Sequence, residues 1–119
     1  MLRCIRVCLV ALVLASNAAA RELVVTATAY NSLPGQTDST PNLAAWNNPL
    51  FPGMRAIAVS RDLIPLGIGN QVVVEVVGYG FFTVLDKMNK RYKGRIDVYY
   101  GDDVEAARKF GKRQVRVVW

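Results

Sequence analysis

The sequence predicts an all-β domain of six short strands with one short helix. Runs rich in valine, isoleucine, threonine and aromatic residues recur along the chain, and clusters of Gly, Pro, Asn and Asp separate them. One segment near the C-terminus carries helix capping signals at both ends. In a chain of this size, closure into a barrel is the economical way to remove unpaired sheet edges. We therefore expect a six-stranded barrel with the helix covering one opening.

The predicted strands follow from these runs and the breakers between them. The third run, QVVVEVV, shows little alternation, so we expect both of its faces to be covered. Residues 31–53 lie between the first two strands and are dense in Asn, Pro, Ser and Gly, which in so small a domain indicates a binding loop. The six predicted strands are 22–30, 54–60, 71–77, 81–86, 94–100 and 113–119.

The single helix is predicted from its ends. Asp102 or Asp103 supplies the N-cap, and Glu105 stands at the right distance from Asp102 to complete a capping box. Gly111 suits the position that follows the last helical residue. We assign no chemistry to this helix.

The first twenty residues have the pattern of a secretory signal peptide. Two arginines precede an apolar run at about 7–16, and Ala18 and Ala20 fit the small-residue rule for cleavage. The run is short for a membrane span, although an uncleaved N-terminal anchor is the alternative. We therefore expect a signal peptide at 1–20 and a folded domain at 21–119, exported across the inner membrane to the periplasm or the outside, without a stable membrane span after cleavage.

Composition excludes several kinds of chemistry. The chain has no histidine, and its two cysteines, Cys4 and Cys8, both lie in the predicted signal. Histidine-dependent nucleophilic triads are excluded and a zinc site is improbable, so we expect neither a metal nor a cofactor. The net charge of +6 favours anionic partners such as cell-wall polymers or phospholipid head groups. Export and the absence of a nucleic-acid-binding motif argue against nucleic acid.

Two aspartates, Asp86 and Asp97, are the candidate reacting groups. Asp86 ends an apolar strand, and Asp97 lies inside a strand, on the face opposite Ile96 and Val98. If the two strands pair, one carboxyl pKa rises, as a general acid requires, whereas the cations between them act in the opposite direction. A weak surface ion pair between Arg95 and Asp97 is the alternative.

Four segments together resemble the 3D domain, a family named for three aspartates. They are VVTATAY at 24–30, AIAVSRDLIPLG at 56–67, VLDKMNKRYKGRIDVYYG at 84–101 and ARKFGKRQVRVVW at 107–119. That domain forms the catalytic double-psi β-barrel of membrane-bound lytic transglycosylase A and occurs in related cell-wall enzymes. The resemblance therefore implies a double-psi barrel that acts on peptidoglycan glycan strands.

The resemblance also implies roles for individual residues. Asp97 matches the catalytic acid and base, which cleaves the bond between N-acetylmuramic acid and N-acetylglucosamine to a 1,6-anhydro product, and Asp86 matches the supporting acid. Thr28 and Tyr30 match the substrate-facing first strand. Ser60 stands where the family has its third aspartate, and Lys87-Met88-Asn89 replaces a Thr-Gly-Gly turn. These departures leave a second function open, an expansin-like module that binds wall glycan without cutting it.

The remaining candidate substrate contacts each have a structural alternative. Trp46 can stack on a sugar ring or plug one end of the barrel, and Asp38 can bond substrate hydroxyls or make an Asx turn. Lys87 and its neighbouring cations can meet the carboxylates of muropeptides or form a solvated loop. Tyr99, beside Asp97 on the same strand, completes the set. No protein partner is indicated.

Overall fold

The computed structural model describes residues 20–32 and 44–119, which form six strands, one α-helix and two short 3₁₀ segments. Every strand lies where the sequence predicts one, and the differences are confined to strand ends. The expectation of a six-stranded sheet with one short helix is confirmed. The strands are β1 Glu22–Tyr30, β2 Ala56–Val59, β3 Val73–Val76, β4 Gly80–Lys87, β5 Arg95–Tyr99 and β6 Arg113–Val118; the helix is α1 Val104–Phe110, and the 3₁₀ segments are Ala45–Asn47 and Arg61–Leu66.

The sheet closes on itself. Its strands follow the order β1-β5-β2-β4-β3-β6, and β6 pairs back with β1, so each of these strands has two hydrogen-bonded neighbours. The β1–β5 and β2–β4 pairs are parallel, and the other four pairs are antiparallel. Closure leaves no unpaired edge among the six strands, which removes a template for aggregation.

The two halves of the closed sheet have the same topology. Exchanging β1 with β4, β2 with β5 and β3 with β6 reproduces both the strand order and the direction of every pair. The connections correspond as well, because a 3₁₀ segment joins β2 to β3 and α1 joins β5 to β6. The sheet therefore has a pseudo-two-fold arrangement, although the amino-acid sequence contains no evident repeat.

The interior of the closed sheet is an aliphatic core. Alternating residues of each strand point inward, as the period of two requires. On β3 only one face is covered: Val73 is 57% exposed, whereas Val74 and Val76 are buried. The expectation that both faces of this strand are covered is wrong, because the outer face of β3 carries no layer of chain. The core includes Val25, Ala27, Ile57, Val59, Leu63, Val74, Val76, Val84, Ile96, Val98, Val115 and Val117.

A second, smaller cluster lies against the outer face of the sheet. Ala44 and Leu50, from the chain before β2, pack on Ala56 and on the ring of Tyr99. Tyr30 and Leu85 flank this cluster. The segment 44–54 is therefore a cover on the outside of the sheet, and it lies beside the two candidate acids.

Helix α1 begins one residue later than the predicted capping box between Asp102 and Glu105 would require. Asp103 is the N-cap and accepts a hydrogen bond of 3.0 Å from the Ala106 N–H. Glu105 instead reaches Arg108, 4.0 Å away, so the predicted capping box with Asp102 is wrong. The helix ends before Gly111, as predicted. No helix in the described part of the chain has the length and apolarity needed to cross a membrane.

Candidate functional site

Asp86 and Asp97 lie on the same face of the sheet, one on each side of β2. Ala58 is the register partner of Asp97 across the β2–β5 pair and of Asp86 across the β2–β4 pair. Residues opposite each other in register point to the same face. Because β4 and β5 do not pair directly, the two Cα atoms are two strand spacings of about 4.8 Å apart. The close approach expected from direct pairing therefore does not occur, although both acids project from one surface.

Asp97 is half-buried and is held through one oxygen. Thr28, its register partner on β1, donates a hydrogen bond of 2.9 Å from Oγ1 to Oδ1 of Asp97. No hydrogen bond among the described residues reaches the other carboxylate oxygen, Oδ2. Burial raises the pKa of Asp97 above its usual value, and the negative charge of Asp86 adds to this. The Thr28 hydrogen bond and the charge of Arg95 act in the opposite direction without reversing the shift.

Arg95 does not form an ion pair with Asp97. Its guanidinium carbon lies 4.9 Å from the centre of the Tyr92 ring. Within the described residues, the one ion pair is between Glu105 and Arg108. The alternative interpretation of Asp97, a surface ion pair with Arg95, therefore does not match the structure. The Asp97 carboxylate is therefore partly desolvated and forms no ion pair with a described residue.

Both carboxylate oxygens of Asp86 accept hydrogen bonds from the protein. Its Oδ1 accepts from the Ala45 N–H at 2.8 Å and from the Lys87 N–H at 2.9 Å. Its Oδ2 accepts from the Tyr30 hydroxyl at 3.3 Å. Asp86 thus fastens the start of the covering segment 44–54 to the end of β4. Ala45 contributes only its main-chain N–H, so no side-chain pattern in the sequence could have indicated its part in the site.

Tyr30 lies near both acids and bonds to one of them. Its hydroxyl bonds to Asp86, and its ring packs 5.5 Å from the ring of Tyr99, between centroids. Burial raises the pKa of Tyr30, and the negative charges of Asp86 and Asp97 raise it further. The phenol therefore stays protonated and remains a hydrogen-bond donor on this surface.

Trp46 and Lys87 stand next to each other at the margin of the site. Trp46 is partly buried against the core, and the Lys87 Nζ lies 5.2 Å from the centre of its ring. Trp46 and Asn47 both have positive φ angles, 60° and 61°, a backbone conformation that is uncommon for such residues. One face of the indole therefore carries a cation, which favours the packed arrangement over a freely exposed stacking platform.

The side chains of Ser60 and Tyr99 are buried. Ser60 is 0% exposed, and its Oγ accepts the Arg95 N–H at 2.9 Å. Tyr99 is 4% exposed, and its hydroxyl shares a hydrogen bond of 2.6 Å with Ser32. Both residues, which are expected from the sequence to contact substrate, form hydrogen bonds inside the fold. Asp38 lies outside the described residues.

Asp62, two residues after the position of the missing family aspartate, also has a structural partner. Although burial acts to raise it, hydrogen bonds from Ser60 and from the Gly94 N–H hold the pKa of Asp62 below its usual value. The Gly94 hydrogen bond to Oδ2 measures 2.9 Å. Asp62 therefore ties the 3₁₀ segment after β2 to the turn before β5. The described residues contain no group of three or more His, Cys, Asp or Glu side chains placed to hold a metal ion.

The site consists of Thr28, Tyr30, Asp86 and Asp97 on the outer face of the sheet, with Ala45 as a main-chain donor. Among the described residues, the Asp97 carboxylate accepts a hydrogen bond through one oxygen only, and it is partly desolvated. A scan against protein-family models and a search of curated proteins both give no match for this chain.

Proposed function

We propose that this chain is an exported, divergent member of the 3D-domain family that cleaves peptidoglycan glycan strands by lytic transglycosylation. One observation carries the proposal: Asp97 has a raised pKa, one oxygen fixed by Thr28 and the other free of protein donors among the described residues. A carboxyl group that holds its proton closer to neutral pH is suited to act as a general acid.

The reaction needs one carboxyl group that works twice. Protonated Asp97 donates its proton to the glycosidic oxygen as the bond from the muramic acid C1 to that oxygen breaks. The resulting carboxylate then accepts the proton of the muramoyl 6-hydroxyl, whose oxygen forms the new bond to C1. The product is a 1,6-anhydro sugar, and Asp97 ends protonated. No second carboxylate acts as nucleophile, in contrast to ordinary retaining glycosidases.

Asp86 and Tyr30 act through position and charge in this proposal. The negative charge of Asp86 raises the pKa of Asp97, which favours the acid form. Because hydrogen bonds from Ala45, Lys87 and Tyr30 hold Asp86 in place, that charge has a fixed location. The third acid of the family, replaced by the buried Ser60, is not required by a mechanism that uses Asp97 alone.

The topology supports the finer fold assignment, a double-psi β-barrel. Two parallel pairs flank a central antiparallel pair; β5 lies between β1 and β2, and β2 lies between β4 and β5, so the strands that follow β1 and β4 in the chain are not their neighbours in the sheet. The pseudo-two-fold relation between the halves fits an architecture built from two crossed, equivalent motifs. Asp97 lies on β5, within that central pair, and Asp86 lies on β4, the strand next to it.

The test is to incubate the purified protein with isolated cell walls and identify the products by mass spectrometry. We expect 1,6-anhydro-muropeptides, and we expect Asp97→Asn to lower their rate of release by about 10²–10⁴-fold, the range for loss of a general acid. Glu22→Gln, which removes an exposed carboxylate at the start of β1, is the matched control and keeps full activity. Absence of anhydro products, or an active Asp97→Asn variant, contradicts the proposal.

N-terminal sequencing of the exported protein tests cleavage after Ala20.

A non-catalytic glycan-binding module is the second candidate, and the state of Asp86 favours it. All hydrogen bonds of that carboxylate go to the fold, so only one acid of the family's three is free to react. Co-sedimentation with cell walls separates the two functions. Equal binding by the wild-type and Asp97→Asn proteins, with no anhydro product from either, selects the binding module.

A further inference from the structure

A cavity lies at the end of the sheet where β2 and β4 begin and β5 ends. Its volume is about 420 Å³, and its walls include Arg55, Tyr79, Phe82, Tyr100 and Asp102. None of Thr28, Tyr30, Asp86 and Asp97 lines it. Cavities that bind small molecules usually measure about 300–1,000 Å³, so this one suits a ligand at the small end of that range.

The cation of the cavity is fixed in place. The Arg55 Nε donates to the Phe81 carbonyl at 3.0 Å, and Nη2 donates to the Tyr79 carbonyl. The guanidinium carbon lies 4.2 Å from the centre of the Phe82 ring. No hydrogen bond within the described residues uses Nη1 of Arg55. One guanidinium nitrogen of a rigidly held side chain is therefore left for a ligand, at little cost in side-chain entropy.

The two carboxylates of the cavity do not pair with this cation. Asp102 and Asp103 line the same space, and neither forms an ion pair with Arg55 among the described residues. Asp103 is committed to capping α1 through Oδ1. No hydrogen bond within the described part of the chain involves the Asp102 carboxylate, which is exposed. One small cavity is therefore lined by a cation and by carboxylates that do not pair with it, together with aromatic rings.

From this arrangement we propose that the cavity binds a small zwitterion of amino-acid or dipeptide size. The ligand carboxylate accepts from Nη1 of Arg55, its ammonium group donates to Asp102, and its apolar part packs on the rings of Tyr79, Phe82 and Tyr100. Charge-assisted hydrogen bonds are the stronger class, and a ligand with both charges uses both walls. This inference does not depend on glycan cleavage, because it concerns other residues and another ligand.

The test is a titration of the ¹⁵N-labelled protein with alanyl-alanine, its N-acetyl derivative and its C-terminal amide, followed by NMR. We expect millimolar binding of the free dipeptide, with shifts at Tyr79, Tyr100 and the Arg55 Nε. Blocking either end weakens binding about tenfold or more, since each block removes one charge-assisted contact.

Two variants make the assignment specific. In Arg55→Gln the free dipeptide and its amide bind alike, while the acetyl derivative stays weaker. In Asp102→Asn the free and acetylated dipeptides bind alike, while the amide stays weaker. Lys112→Gln, an exposed cation outside the cavity, is the charge-matched control and leaves all three affinities unchanged.

Three outcomes overturn the proposal. They are the absence of shifts at ligand concentrations well above the millimolar range, shifts centred on Thr28 and Asp97 in place of the cavity, and blocked dipeptides that bind as well as the free one. Thermal unfolding of both variants confirms that they are folded. If cell walls are not cleaved but the dipeptide pattern holds, the glycan proposal fails alone.

Discussion

The hydroxyl of Thr28 donates a hydrogen bond of 2.9 Å to Oδ1 of Asp97, its register partner across the parallel β1–β5 pair. This bond favours the ionised form of Asp97, whereas burial and the charge of Asp86 favour the protonated form. The relationship sets both the orientation and the proton affinity of the candidate acid, so it is the first point at which the site can be tested.

Removing the Thr28 donor should raise the pKa of Asp97 further. Thr28→Val keeps the shape of the side chain and loses the hydroxyl, so the ionised carboxylate loses a hydrogen bond that stabilises it. We expect a higher Asp97 pKa in a carboxyl ¹³C NMR titration and a loss of about 1 kcal/mol in the free energy of unfolding. Thr26→Val is the matched control. Thr26 lies on β1 like Thr28, but its hydroxyl accepts a hydrogen bond from the Gln114 side chain on β6. An unchanged or lowered Asp97 pKa in Thr28→Val contradicts the arrangement.

Asp97→Asn should stabilise the protein at neutral pH and not at acidic pH. Because burial raises the folded-state pKa of Asp97 above its unfolded value of about 3.9, the fold binds this proton more tightly than the unfolded chain does. Stability from this group is fully present below the unfolded pKa and is lost as pH rises through the folded one. The asparagine side chain does not ionise, so the Asp97→Asn variant does not lose this stability as pH rises.

Thermal unfolding across pH measures this effect. The difference in Tm between Asp97→Asn and wild type should be positive near pH 7 and should shrink towards zero as pH falls below about 3.9. The exposed-site variant Glu22→Gln should stay within about 0.5 kcal/mol of wild type. A Tm difference that grows on acidification contradicts the assigned direction.

Asp86→Ala should loosen the covering segment 44–54. The substitution removes the acceptor for the Ala45 and Lys87 N–H groups and for the Tyr30 hydroxyl. We expect a loss of about 1–3 kcal/mol in urea unfolding, and faster amide hydrogen exchange at Ala45. Asp103→Ala, which removes the α1 cap at a cost of about 1 kcal/mol, should leave exchange at Ala45 unchanged. Equal exchange at Ala45 in both variants contradicts the role of Asp86 as its anchor.

Gly80→Ala and Gly78→Ala should differ although both occupy positive φ. Their φ angles are 99° and 90°, so each substitution carries a backbone cost of order 1–3 kcal/mol. A Cβ at Gly80 would lie 2.9 Å from the Arg55 Nη2, whereas one at Gly78 meets nothing within 4 Å. Only Gly80→Ala should therefore shift the Arg55 side-chain NMR signals and weaken dipeptide binding. Identical effects of the two variants on Arg55 contradict the close approach.

The amino-acid sequence by itself determined the elements and their composition. The β-branched runs specify all six strands, the glycines and prolines separate them, and Gly111 ends the helix, because these are preferences of single residues and of short periods. The choice of Asp86 and Asp97 as the candidate acids also came from local pattern and family resemblance, and both lie on one surface of the fold. The lack of histidine limited the chemistry in the same direct way.

Tertiary structure alone decided which strands pair and which side chains are free. β2 separates β4 from β5, so the two acids lie on strands that do not pair, and Asp86 acts on Asp97 through its charge. The hydrogen bonds of Tyr99 with Ser32, of Ala45 with Asp86 and of Arg95 with Ser60 all join residues at least 35 positions apart in the chain. Closing the sheet brings such groups together, and because residue preferences act over a few positions, they carry no information about it.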